Sequence, residues 1–255
     1  MRILRMQSLL IAAVCTSLAA ATASAQSAPA KTPTAAEIVA RAGKSADPSG
    51  KLEGHRSVRS TFTIEILGMG ITGTAESYAA RPDRMLSNTT LGPIGTISAG
   101  YDGSVGWIVN PATGPLLMDS AQKARIRHVS AFDAALQRAE SYKSMSEPVT
   151  ETFEGRSCYK VHLVASTSFE YDAFYDVEKG FRRGMRYEEK GPAGLVPVTL
   201  IFDDFRDFGG VMVPGTVTQR TPTVSLVQRV NTVDFDSVAD SVFALPPAIK
   251  ALVGK

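Results

Sequence analysis

The chain has 255 residues, 27 of them Lys or Arg and 25 Asp or Glu. Charge this evenly balanced, with no basic block, excludes a nucleic-acid or anionic-membrane surface. Two cysteines in a chain of this length exclude a disulfide scaffold, and 44% hydrophobic residues support one large core.

Residues 1–25 read as an export signal. Arg2 and Arg5 form its positive start, Leu9 to Ala21 its apolar run and Ala23-Ser24-Ala25 an A-x-A cleavage site, so the mature chain is expected to begin at Gln26. A membrane anchor is the competing reading; the apolar run is short for one, and its small residues fit cleavage better. Val14 stands where a lipobox needs a small residue, which argues against lipid attachment at Cys15. Cleavage removes two basic residues and no acid, leaving 25 of each sign and one thiol, Cys158. The mature chain is expected in the periplasm or the medium beyond it, without a transmembrane segment.

Residues 26–33, rich in Ala, Ser, Pro and Lys, read as a flexible spacer, and residues 34–255 as a single domain. The spacing predicts a first helix over Thr34 to Lys44. Thr34 caps it, Glu37 completes a capping box, and Ile38 and Val39 give a small apolar stripe. Gly43 sits near its end, before the loop Asp47-Pro48-Ser49-Gly50. Strict alternation follows, with Val58, Ser60, Phe62, Ile64 and Ile66 on one strand face and Arg59, Thr61, Thr63 and Glu65 on the other. Further strands are predicted over Ile71–Ala79, Arg84–Leu91, Ile94–Tyr101 and Val105–Asn110. Gly68 and Gly70, Arg81-Pro82-Asp83, Gly92-Pro93 and the hairpin pair Asp102-Gly103 separate them. Pro111 and Gly114-Pro115 close this group of five.

From Asp119 to Tyr142 the period changes. Ala121, Ala124, Ile126, Val129, Phe132, Ala135, Leu136 and Ala139 recur at three- and four-residue steps, which predicts one amphipathic helix capped by Asp119 or Ser120 and lying on the sheet. A second strand group begins near Val149 and continues over Ser157–Ala165, with Tyr159, Val161 and Leu163 on one face. Next comes a strand with Phe169, Tyr171, Ala173 and Tyr175 on one face, then Phe181–Glu189, Leu195–Phe205, Val211–Gln219 and Val224–Phe235. Asp240 to Val253 reads as a loop and short helix. Neighbouring strands, about ten to twelve of ordinary length, are joined by short turns and should pair as an antiparallel meander. The fold class is α+β, mainly β: one curved antiparallel sheet with helices laid against it.

The order of these features resembles the LolA/LolB-like periplasmic lipoprotein carriers, the outer-membrane lipoprotein-sorting-like proteins. The residues that carry the resemblance start with the N-terminal helix running into Ser60-Thr61-Phe62. Tyr101-Asp102-Gly103 with Gly106-Trp107 is like a D-G-x-x-x-W step, and Asp176 to Gly180 like a D-x-x-T-G turn. Phe205-Arg206-Asp207 with Gly209 to Pro214 looks like a Y-x-D-x-x-G-x-x-x-P hairpin, and Val242-Phe243-Ala244-Leu245-Pro246 like a closing V-F-x-L-P. The resemblance covers Ala36 to about Leu252 and implies an incomplete β-barrel with helices on its concave face and an apolar cavity that takes acyl chains. No position here aligns with the cationic cavity residue of the lipoprotein carriers, so another apolar ligand is at least as well supported as lipoprotein acyl chains.

The residues supply no catalytic set. His55, His128 and His162 fall in a loop, a helix and a strand without metal-ligand spacing. Cys158 and His162 lie on one strand face ~13 Å apart. No G-x-S-x-G elbow occurs, Gly43-Lys44-Ser45 lacks the rest of a P-loop, and a buried free cysteine ordinarily fills space. No catalytic residue, metal or cofactor is therefore expected, and the chain is not expected to be an enzyme. Phe62, Ile64, Ile66, Trp107, Val109, Val161, Leu163, Phe169 and Tyr171 are the candidate apolar lining of a trough, or else ordinary core beneath the helix. Two functions follow: a carrier or binder of lipid, lipoprotein acyl chains or another apolar ligand, or a module docking on an envelope membrane protein without a ligand.

Overall fold

The computed structural model describes residues 32–191 and 194–254. The expected cleavage site and nearly all of the expected spacer lie outside the described residues. Helix α1 (Ala35–Ala46) opens with the capping box that its sequence encodes: Thr34 Oγ1 accepts from Glu37 N at 3.3 Å, and the Glu37 carboxylate accepts from Thr34 N at 2.7 Å. Ile38, Val39 and Ala42 form its buried face.

Six strands follow: β1 (Ser57–Ile66), β2 (Ile71–Ala80), β3 (Arg84–Leu91), β4 (Gly95–Tyr101), β5 (Gly106–Asn110) and β6 (Gly114–Leu117). A crossover carrying helix α2 (Ser120–Val129) leads to β7 (Tyr142–Met145), β8 (Val149–Phe153), β9 (Arg156–Ala165) and β10 (Glu170–Asp176). Then come β11 (Arg182–Gly191), β12 (Gly194–Phe208), β13 (Val211–Arg220) and β14 (Ser225–Phe235), and helix α3 (Pro247–Val253) ends the chain. All fourteen strands belong to one antiparallel sheet in the order β6-β5-β4-β3-β2-β1-β14-β13-β12-β11-β10-β9-β7, with β8 also on β9. The chain thus enters at the centre, meanders out to β6, crosses to the far edge and meanders back until β14 pairs β1. The two edges do not pair, so the sheet is an open half-barrel.

The strand count exceeds the expected ten to twelve by the two shortest edge elements. β6 begins Gly-Pro, a pair that reads as punctuation but that an edge strand tolerates, since an edge strand can leave one side of its backbone unpaired. β7 shares only Tyr142 with the predicted helix and otherwise falls in the stretch before Val149 to which no element is assigned. That helix is also shorter than its periodicity: α2 stops at Val129, and 3-10 turns at Phe132–Leu136 and Ala139–Ser141 carry the chain on to Tyr142. An apolar repeat reports that a segment touches the core on one side. It does not require the backbone to stay α-helical.

The main core lies between α1 and strands β9 to β12, where Val161, Leu163, Ala173, Tyr175 and Met185 are almost fully buried with Ile38 and Val39. A smaller cluster of Phe153, Cys158, Phe174 and Ile201 packs on the opposite face. Burial pushes the Cys158 thiol up to about 11, so it stays protonated and fills space.

Candidate functional site

Two local backbone events build the site on the helix-covered face of the sheet. Between Phe174 and Tyr175 the β10–β11 register slips, so that Tyr175 faces Arg182 and Arg183 is the extra residue. A bulge re-aims side chains: Arg183 goes to the opposite face of the sheet, where it is buried and meets Asp203 at 2.6 Å, and Arg182 turns toward the helices. On β12, Asp204 takes a left-handed conformation (φ 53°) and breaks the alternation, so Phe202 and Phe205 both reach the covered face. Phe205 stacks on Phe181 at 4.2 Å.

These residues wall a cleft of about 80 Å³ beneath α1 and the crossover. Ala42 and Ala46 of α1 and Ala135 of the crossover form the roof. Phe181, Phe202, Phe205, Met212 and Pro214 give the apolar walls, and Arg182 and Gln137 the polar ones. The roof is close because Gly43 has no side chain: a Cβ built there would lie 1.9 Å from the Leu136 carbonyl oxygen. A wider hollow of about 470 Å³ lies beside β9–β11 and α2, but its lining mixes Phe169, Tyr187 and Leu195 with Glu170, Asp172 and Arg186. Of the two, the small cleft has the more apolar walls.

A buried polar chain runs beside the cleft. Gln137, left-handed (φ 47°) and 6% exposed, accepts hydrogen bonds at Oε1 from Tyr175 (3.2 Å), Tyr142 (3.3 Å) and Arg182 (3.4 Å). The Tyr142 and Tyr171 hydroxyls are 3.2 Å apart, and His128 Nε2 is 2.8 Å from the Tyr171 hydroxyl. Burial, and then the Arg182 charge, lower the His128 pKa to about 4, while burial raises Tyr171 and Tyr175 well above the phenol range. His128 is therefore neutral in the fold and protonates readily once unfolded. Its depressed pKa leaves stability intact above about pH 6.5, and stability falls as pH drops from there toward 4. Between pH 7.5 and 5 this group should cost about 2 kcal/mol. The urea midpoint measured across that range should fall less in His128→Gln; an unchanged pH slope in the variant would remove His128 from this role.

Ion pairs at the rim fasten the crossover. The Arg81 guanidinium binds the Asp133 carboxylate, donates to the carbonyls of His55 (2.9 Å) and Leu52 (3.1 Å), and lies 4.8 Å over the Phe132 ring. Arg138 pairs Glu53 at 2.6 Å, Arg127 pairs Asp83 at 3.1 Å, and Arg125 pairs Glu189 at 2.8 Å. The cover is therefore held by ion pairs at its edges and, inside, by apolar contacts and the buried Gln137 hydrogen bonds.

The nine residues expected to line a trough fall into three groups. Val161, Leu163, Phe169 and Tyr171 share the main core, the last through its hydroxyl as well as its ring. Phe62, Ile64 and Ile66 face the same side but belong to a separate cluster with Leu91 and Leu226. Trp107 and Val109 lie on the opposite face: Gly106 abuts Met118 and Lys123 of the crossover, so the next side chain points away, and the Trp107 ring covers Gly100. None of the nine walls the 80 Å³ cleft, while Phe169 and Tyr171 line the wider hollow. The residues that do were missed because a bulge and a left-handed aspartate override the alternation that sequence reading relies on. A Phe-Arg-Arg run directly after a Gly turn was the available signal. Among the described residues, no group of three His, Cys, Asp or Glu is placed to hold a metal ion, and no helix is long and apolar enough to cross a membrane.

No protein-family model and no curated protein sequence matches this chain. Solved structures do match in fold. A LolA superfamily protein of Nitrosomonas europaea aligns with a TM-score of 0.53 at 14% identity over 84% of this chain and 99% of its own. A DUF1329 family protein of Desulfovibrio piger gives 0.52 at 13% over 82% and 96%. A putative outer membrane lipoprotein-sorting protein domain of Vibrio parahaemolyticus gives 0.51 at 12% over 85% and 97%. At these identities the likeness is one of fold, and the fold of this chain is that of the LolA superfamily.

Proposed function

We propose that this protein is a non-enzymatic periplasmic carrier or binder of lipid, lipoprotein acyl chains or another apolar ligand, exported by a signal cleaved after Ala25. One observation carries the reading: a carbon-walled cleft lies between an open sheet and a helical roof that is fastened at its rim by ion pairs. At about 80 Å³ the cleft is well below the roughly 300 Å³ at which ligand pockets begin. Loading therefore requires the seam between α1 and the crossover above the cleft to part, with Ile38 and Val39 keeping α1 on the main core. Each methylene removed from water contributes about 0.8 kcal/mol, and an exposed rim pair such as Arg138–Glu53 holds with at most about 1 kcal/mol. A chain of ten or so methylenes can thus outweigh the fastening, and its departure lets the roof close again.

Protein purified from the periplasm should release lipid on solvent extraction, show the corresponding adduct in native mass spectrometry, and take up a fluorescent fatty acid at one per chain. Ligand-free protein that takes up no fatty acid would reject the carrier. Capture of a stoichiometric envelope membrane protein by such ligand-free protein would establish a docking module in its place.

A further inference from the structure

We propose that the ligand carries an anionic head and that Arg182 is its anchor; this rests on the carrier reading above and deepens it. Among the arginines that are not fully exposed, Arg59, Arg81, Arg84, Arg125, Arg138 and Arg183 each bind a carboxylate directly. Arg182 has no carboxylate partner among the described residues. Its contacts are the Gln137 amide oxygen at 3.4 Å, long for a hydrogen bond, the face of the Phe202 ring at 5.3 Å and the neighbouring tyrosines. An inward-facing cation ordinarily has a counter-charge, because taking it out of water unpaired is costly. Here the bulge on β11 turns the guanidinium into the cleft, while the next residue along, Arg183, takes the carboxylate of Asp203.

The surroundings fit an incoming oxyanion. No acidic side chain walls the cleft, so nothing competes for the guanidinium. The planar fork of arginine matches a carboxylate or phosphate in bidentate fashion, and the apolar walls beside it accept the hydrocarbon tail. An anionic head at Arg182 replaces the weak Gln137 contact, with the tail lying against Phe202, Phe205 and Met212. The ligand class is thus a single-chain acidic amphiphile, a carboxylate or a phosphate ester, in preference to a fully neutral lipid.

The test uses the full mature chain and three probes of equal tail length: dodecanoate, dodecyl phosphate and methyl dodecanoate, each titrated by displacement of a fluorescent fatty acid at neutral pH. Wild type should bind one or both anions at least about tenfold tighter than the ester, the effect of one charge-assisted pair. In Arg182→Met the ratio of affinities should fall to about one, and Arg182→Lys should restore part of it. The two anions identify the head: preference for dodecanoate points to a fatty acid, preference for the phosphate to a phospholipid-derived ligand. Wild type that binds ester and acids equally refutes the anchor and leaves the carrier standing; uptake of none of the three refutes the carrier itself. The wild-type ratio decides the matter even if Arg182→Met does not fold.

Discussion

Gly43→Ala is expected to lower the stability of the protein by about 2 kcal/mol and to raise its uptake of a hydrophobic fluorescent probe. The added methyl would meet the Leu136 carbonyl oxygen at 1.9 Å, far inside the ~3.5 Å of a normal contact. That oxygen belongs to the backbone, so the crossover has to move and cannot yield by rotating a side chain. Overpacking of this kind costs about 1–3 kcal/mol, and the better helix propensity of alanine returns at most about 1 kcal/mol. The second effect distinguishes a roof from a plain core contact. Separating α1 from the crossover opens the Ala42–Ala135 seam above the cleft, so probe binding should increase while stability falls. Lower stability with unchanged probe binding in chemical denaturation and fluorescence titrations would show that this seam does not gate the cleft.

Arg81→Met should cost about 2–3 kcal/mol, the second large effect. The arginine joins three parts of the chain: the crossover through Asp133 and Phe132, the segment before β1 through the carbonyls of Leu52 and His55, and its own β2–β3 turn. Arg81 and Asp133 are each 29% exposed, so the pair is partly desolvated, and losing one partner leaves a carboxylate and two carbonyls without their donor. Loosening should concentrate in residues 132–141. Amide hydrogen exchange there should quicken several-fold more than in β9 to β11. In a double-mutant cycle Asp133→Asn should recover part of the loss. Uniform exchange across the sheet would mean that Arg81 stabilises the whole fold and does not fasten the crossover.

The sequence was informative wherever structure is local. The Thr34–Glu37 capping box, the alternation of Phe62, Ile64 and Ile66, and the Asp102-Gly103 turn need only residues a few places apart, and each forms as its chemistry dictates. The Asp119 cap of α2 does the same. Reading failed where the cause is distant. Met185 and Tyr187 face the helices, and unbroken alternation would send Arg183 after them and Arg182 outward; the β10–β11 bulge reverses the two. Tyr171 reads as a greasy strand position, yet its hydroxyl joins His128 and Tyr142 from other elements.

Taken by itself, then, the chain's order of residues settled the mainly β, helix-covered antiparallel class, most strand positions, the α1 cap and the lack of charge or cysteine patterns for other classes. Those features follow from backbone geometry and side-chain period over a few residues. The β1–β14 pairing, the broken crossover, the side of the sheet that Trp107 faces and the inward turn of Arg182 were decided by the tertiary structure alone. Each depends on which distant surface a segment meets, and a bulge or a missing Cβ costs too little locally to leave a mark in the sequence until that surface is present.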